Sequence, residues 1–334
     1  MNKDILALKT SIIKNFGTPC AVIDLEVVER NIKRAQTLCE NAGLKNRPHI
    51  KTHKSPLLAK MQIAAGAEGI TCQKLGEAEI MANNGITDIV IATNLIGAAR
   101  SGRLASLQRR VPLKVCSDNL FSLQAYSDAA REAERPLDVM IECDTGQKRA
   151  GVETPREALV LAQVIKEDPM LNFAGLLFYP SQDSWPQTQT FLDEMVKCLA
   201  SIGYQPGIVS TGGTPNFSNI GKLSGATEHR AGTCIFNDRM MIEDGFATQG
   251  DCAFSVYTSV VSRSGKERGI LDAGSKTLTS DTGGLQGFGL ILEHPMRRYI
   301  NLQKNMGFLI FQNAQKNRQW AILYVLFQTM YALL

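Results

Sequence analysis

The stretch Arg47-Pro48-His49-Ile50-Lys51-Thr52-His53-Lys54 gathers two His and two Lys between a β-prone lead and a helix signal. Pro48 biases Arg47 toward extended backbone. Ser55-Pro56 reads as the N-cap and first position of the next helix. Arg47–Lys51 is therefore expected to be a strand with Lys51 near its end, where parallel barrels and sheets carry their chemistry. A partly desolvated lysine there is a Schiff-base candidate. The same stretch also reads as a basic surface loop.

Four more segments carry chemistry-bearing types. Ser210-Thr211-Gly212-Gly213-Thr214-Pro215 follows an apolar run, and its glycines can present backbone N–H groups to a phosphate. A tight strand-to-helix turn reads the same way. Glu228-His229-Arg230-Ala231-Gly232-Thr233 is a second small-residue turn. Glu142–Val152 ends a strand with charges beside Gly146 and Gly151. Asp272-Ala273-Gly274-Ser275-Lys276 lies among later β-prone runs. His49 is expected on the opposite strand face from Ile50, where packing, hydrogen bonding and catalysis are all open. His229 reads as capping a strand end, and His294 as a surface residue.

These segments need a scaffold. The chain has 334 residues, 44% hydrophobic and 20% charged, as in ordinary globular enzymes. Its net charge of +4 comes from 36 basic and 32 acidic residues mixed along the chain. That balance argues against a nucleic-acid partner. The eight Cys form no C-x-x-C pair, which fits reduced thiols in the cytoplasm. Met1–Ile5 has no apolar signal core. The longest apolar run, Ile322–Phe327, falls far short of the roughly 20 residues that span a bilayer, so no membrane partner is expected.

From Thr18 to about Arg239, β-prone runs alternate with helical stretches. Helical periodicity in Leu25–Ala42 and Leu75–Asn84 stops at Gly43 and Gly85. Pro155 opens another helix. The alternation predicts an α/β fold, a (β/α)8 TIM-type barrel over about 20–240. Arg47–Lys51 is one of the strand candidates, which outnumber the eight that close a barrel, so one is misplaced or outside it. After about Met240 the pattern turns to β-prone runs with Gly-rich turns. A second, mostly β domain is expected over 241–295, joined by residues 1–18.

Taken together, these motifs resemble the D-threonine aldolase and D-serine dehydratase family, pyridoxal 5'-phosphate enzymes built like alanine racemase. The resemblance runs from about Thr18 to Pro295. It implies that Lys51 is the Schiff-base lysine. Arg149, in Asp144-Thr145-Gly146-x-x-Arg149-x-Gly151-Val152, would sit near the cofactor phenolate, and Tyr179, in Phe178-Tyr179-Pro180-Ser181, is an active-site tyrosine position. Thr211, Gly212, Gly213 and Thr214, with Gly232 and Thr233, form the phosphate-binding turns. Lys51, Arg149 and Tyr179 are the implied catalytic set and also touch the cofactor. Asp272–Lys276 and Ser280–Gly284 resemble β-domain motifs. Cys234 departs from the pattern, standing where relatives often carry Tyr. The implied activity is a lyase on D-3-hydroxy amino acids, of the D-threonine aldolase type. D-serine dehydratase and a non-catalytic pyridoxal phosphate carrier remain open. A divalent metal, zinc or manganese, and a homodimer are also implied.

The tail does not follow the family. Members end on a Pro-Asn-His-x-Cys or His-x-Asp segment that holds the metal, whereas no His follows His294 and no Cys follows Cys252. Read from the third codon base, Phe327–Ala332 permits Pro-Asn-His, forces Val and permits Cys. Lys304–Gly307 read likewise permits Glu-His-Gly, and Met296 onward permits Asp-Ala and then Ile-Tyr. A one-base deletion near Pro295 is therefore expected, with 296–334 out of frame, no metal ligands, and poor packing past Pro295. A divergent tail is the alternative.

Overall fold

A computed structural model describes residues 3–263, 268–279, 281–292, 299–303, 306–310 and 322–327. It contains two units, Ile32–Gly232 and Met1–Asn31 with Thr233–Leu334. His294 and Ser280, both singled out above, lie outside the described residues.

In chain order, the first strand, β1, is Cys20–Ile23. The next are β2 Lys45–Asn46, β3 Ile70–Cys72, β4 Ile89–Ile91, β5 Leu113–Ser117, β6 Leu137–Cys143, β7 Leu171–Phe178, β8 Ile208–Gly212 and β9 Glu228–Arg230. Strands β2 to β9 form one parallel sheet, ordered β2-β9-β8-β7-β6-β5-β4-β3. Its two ends also meet. His49 bridges Thr71 in parallel, Thr71 N–H donates to Pro48 O at 2.8 Å, and Glu68 N–H donates to Asn46 O at 2.9 Å. The sheet thus closes into the eight-stranded barrel.

Strand alternation sorts the side chains into two layers. Val90, Cys116, Met140 and Leu177 make a small cluster of their own. Their neighbours Ile89, Ile91, Val115, Val139, Ile141, Leu176 and Phe178 belong to the large cluster that also takes in residues of the surrounding helices. Counting on by two from Met140 and Leu177 puts Glu142 and Tyr179 on the barrel-axis face at the carboxyl ends of β6 and β7. Arg47, 2% exposed, sits near the amino-terminal end of the barrel, paired to Glu228 at 2.7 Å and Asp88 at 2.6 Å.

Two expectations are corrected here. Arg47–Lys51 is not a strand: pairing as a named strand stops at Asn46, and Ile50–Thr52 is a 3-10 turn. Pro48 has no N–H to donate; the Arg47 and His49 N–H groups still reach His229 O at 3.0 Å and Ala231 O at 2.9 Å, and the chain leaves the ladder after His49, which caps the turn. The first strand-like run, placed within the barrel segment that starts at about residue 20, lies outside the barrel: Cys20–Ile23 pairs antiparallel with β10 (Phe254–Ser262), from Cys20–Tyr257 to Ile23–Phe254.

The other unit holds the helix Lys3–Phe16 and an antiparallel sheet. After β10 come β11 Arg268–Leu271, β12 Gly289–Ile291, β13 Tyr299–Gln303, β14 Met306–Ile310 and β15 Ile322–Phe327, in the order β12-β15-β10-β11-β14-β13. The expectation of poor packing past Pro295 meets three strands there. The β-prone run Ile322–Phe327 pairs with Ser255–Ser259 over five residue pairs, from Leu326–Ser255 to Ile322–Ser259. No helix among the described residues is long and apolar enough to cross a membrane.

Candidate active site

Lys51 lies in the 3-10 turn at the joint between β2 and β3. The turn exists because His49 caps it, its Nδ1 accepting the Lys51 backbone N–H at 3.3 Å. His53 repeats the device, Nδ1 accepting Ser55 N–H at 3.0 Å. Ser55 then caps the helix Pro56–Ala64, as its sequence indicates. Each histidine has its other nitrogen 3.2 Å from a glutamine oxygen, Gln73 for His49 and Gln62 for His53. Burial keeps both rings neutral, His53 near a pKa of about 4 and His49 well below the ordinary range. Burial also lowers the Lys51 amine to about 8, helped by the positive charges of Arg149 and Arg230 and opposed by Glu77.

Arg149 comes from the loop after β6. Asp144 ties that loop down by accepting the N–H groups of Gly146, Gln147 and Arg149 at 2.7–2.8 Å. The Arg149 guanidinium stacks over the Tyr179 ring, 4.8 Å from its centroid. Tyr179 in turn faces the first glycine turn. A Cβ on Gly213 would meet the Tyr179 hydroxyl at 3.1 Å, and Gly213 has φ +100°, a conformation that favours glycine. His229 holds the turn from behind, Nε2 on Gly213 O at 3.1 Å and Nδ1 on the Thr211 hydroxyl at 2.9 Å. The second turn is as tight: a Cβ on Gly232 would meet His49 O at 2.8 Å.

The structure therefore brings Lys51 and Arg149 within electrostatic reach and seats Tyr179 against Gly212 and Gly213. Gly232 lies against His49, and Thr233 follows it at the start of the 3-10 turn Thr233–Ile235. Thr214 opens the 3-10 helix Thr214–Asn219. The Thr211 hydroxyl is engaged with His229 inside the barrel wall.

Two residues that lie in the quoted segments but were given no role there join the set. Arg230 is buried, donating to Ser210 Oγ at 2.7 Å, Thr211 O at 3.0 Å and Phe178 O at 3.1 Å. Glu142 is buried on β6; desolvation raises its carboxyl pKa, against the pull of Arg230 and Arg149. Period-two counting along Glu228–Arg230 and Leu137–Cys143 is the signal that could have found both.

The pyridoxal phosphate implied by the sequence suits this chemistry. An amine lowered to about 8, two guanidinium groups and glycine turns with no room for a Cβ are present together. A metal does not find the same fit: among the described residues no three His, Cys, Asp or Glu side chains converge as a ligand set.

Fold and site together define an alanine racemase-like barrel enzyme. The chain belongs to the family described as alanine racemase, N-terminal domain, whose model matches residues 23–240, and a putative serine dehydratase domain matches 253–322. It is similar to D-threonine aldolase from Arthrobacter sp., at 35% identity over 83% of this chain and 76% of that protein. It is also similar to D-threo-3-hydroxyaspartate dehydratase from Delftia sp., at 33% identity over 80% of this chain and 74% of that protein. The solved D-threonine aldolase from Filomicrobium marinum superposes with a TM-score of 0.86 at 27% identity, covering 94% of this chain and 88% of that one.

Proposed function

We propose that the chain is a pyridoxal phosphate-dependent lyase acting on D-3-hydroxy amino acids, cleaving them in the retro-aldol direction of its D-threonine aldolase relatives. The observation that carries this reading is the half-buried Lys51 amine, lowered to about 8 beside Arg149 and Arg230. Bound pyridoxal phosphate supplies an electron sink for negative charge on the substrate. Lys51 Nζ is the amine that would hold the cofactor, and once released it can accept or return a proton. Arg149 would face the cofactor phenolate oxygen. Gly212, Gly213, Thr214, Gly232 and Thr233 would surround the phosphate, with Tyr179 as a wall against the first turn.

A dehydratase reading is favoured by one feature, the Cys that the alternative frame permits, a soft ligand suited to zinc. Residues 296–334 contain no His, Cys, Asp or Glu. If the frame shift is genuine, the metal that would polarise the substrate hydroxyl loses its ligands. Losing such a Lewis acid removes several kcal/mol of transition-state stabilisation, on the order of a thousandfold or more in rate. The β-prone tail can pair as strands without supplying ligands.

Acetaldehyde release from D-threonine and ammonia release from D-serine, each with and without zinc or manganese, separate the readings. The expected result is weak aldehyde release as the chain stands, restored with metal dependence when a base is reinserted near codon 295. Full metal-dependent turnover by the chain as it stands contradicts the impairment. No cleavage of either substrate by either form, with the cofactor bound, supports a carrier instead.

A further inference from the structure

We propose that His49 is a positioning residue for Lys51: its imidazole, held between Gln73 and the Lys51 backbone N–H, fixes the turn that aims the lysine amine. The contacts form one directed chain. Gln73 Nε2 donates to Ala92 O at 3.1 Å, so its Oε1 faces His49 Nε2 at 3.2 Å. A backbone N–H can only donate, so Nδ1, 3.3 Å from Lys51 N, must be the acceptor. The ring proton is thereby placed on Nε2, which donates to Gln73. Gln73 is itself fixed, its N–H donating to Glu77 Oε2 at 2.7 Å. The neutral ring this arrangement requires agrees with the lowering caused by burial, Lys51 and Arg230.

His49 also meets the second glycine turn. Its own N–H donates to Ala231 O at 2.9 Å, and its carbonyl oxygen leaves no room for a Cβ on Gly232. One residue thus sets the lysine turn through its side chain and abuts a phosphate-turn candidate through its backbone. Substituting the side chain should disturb the first function and spare the second.

The inference rests on the reading of Lys51 as the attachment lysine. Attachment forms a C=N bond between the neutral amine nitrogen and the cofactor's aldehyde carbon, and the aldehyde oxygen leaves as water with the two amine protons. The test follows the rate of attachment by absorbance on mixing the full chain with pyridoxal phosphate. Binding of pyridoxine 5'-phosphate, which has no aldehyde, is measured alongside. His49→Ala should slow attachment about tenfold, the scale of a lost N-cap, and change pyridoxine phosphate affinity by less than about threefold. His49→Asn, whose side-chain oxygen can accept the same N–H, should return to within about threefold of the unmodified chain. Gln73→Leu should slow attachment in the same direction as His49→Ala.

Attachment by His49→Ala at the unmodified rate overturns the proposal. So does an equal loss of pyridoxine phosphate binding, or a His49→Asn variant no better than His49→Ala. If His49→Ala does not fold, Gln73→Leu decides alone, and an unchanged rate there rejects the role. If the unmodified chain attaches no cofactor, the Lys51 reading fails and this inference falls with it. Normal attachment in every variant rejects only the role of His49.

Discussion

The guanidinium carbon of Arg149 lies 4.8 Å from the centre of the Tyr179 ring, and the far side of the site is glycine backbone pressed against the same tyrosine. Such a contact contributes about 0.5–2 kcal/mol, depending on how dry it is. Tyr179→Ala should therefore weaken cofactor affinity by about tenfold or more, combining the lost stack with an opened wall. Tyr179→Phe keeps the ring and should lose less. Arg149→Lys keeps the charge but not the planar stack, and should fall between the unmodified chain and Arg149→Ala. Equilibrium dialysis of the variants checks the order, and an unchanged Tyr179→Ala affinity contradicts it.

Gly213→Ala tests the first turn. At φ +100° a Cβ adds about 1–3 kcal/mol of backbone strain, and it would also meet the Tyr179 hydroxyl at 3.1 Å. Cofactor affinity and thermal midpoint should both fall. Gly221→Ala is the control, because a Cβ there meets nothing within 4 Å. Equal effects from the two variants would remove the structural reason given for Gly213.

Local signals in the sequence reached the elements whose causes are local. Pro155 opens the helix Pro155–Glu167 behind its Thr154 cap, Gly43 and Gly85 follow helix ends, and Glu228–Arg230 and Phe254–Ser262 are strands as read. The misses depend on partners far along the chain. Cys20–Ile23 looks like a barrel strand until its pairing with Phe254–Tyr257 is known. His49 looks like a strand residue, but its ring caps a turn and its partner Gln73 is 24 residues away. In the candidate site, the motifs around Lys51, Arg149 and Gly213 were visible as residue types. That Arg230 and Glu142 join them is a consequence of strand order and register.

The Lys51 amine makes attachment pH-dependent in a defined direction. Burial, then Arg149 and Arg230, favour its neutral form and bring it to about 8. Below that value the amine is protonated and has no lone pair to attack with. The attachment rate should rise with pH and level off above about 8, rather than above the 10.4 of an ordinary lysine. Removing a neighbouring positive charge stabilises the protonated amine, so Arg149→Ala should move the curve to higher pH. Stopped-flow absorbance between pH 6 and 10 reads both curves; a shift to lower pH in Arg149→Ala contradicts the assignment.

Among the 36 basic residues, Lys51 is the one proposed to carry the cofactor. Incubating the full chain with pyridoxal phosphate, reducing with borohydride and mapping the modified peptide by mass tests it most directly. One stoichiometric label on Lys51 is expected, absent from Lys51→Ala and retained in Lys54→Ala. Label on Lys54 in place of Lys51, or labelling that persists in Lys51→Ala at the same stoichiometry, would contradict it.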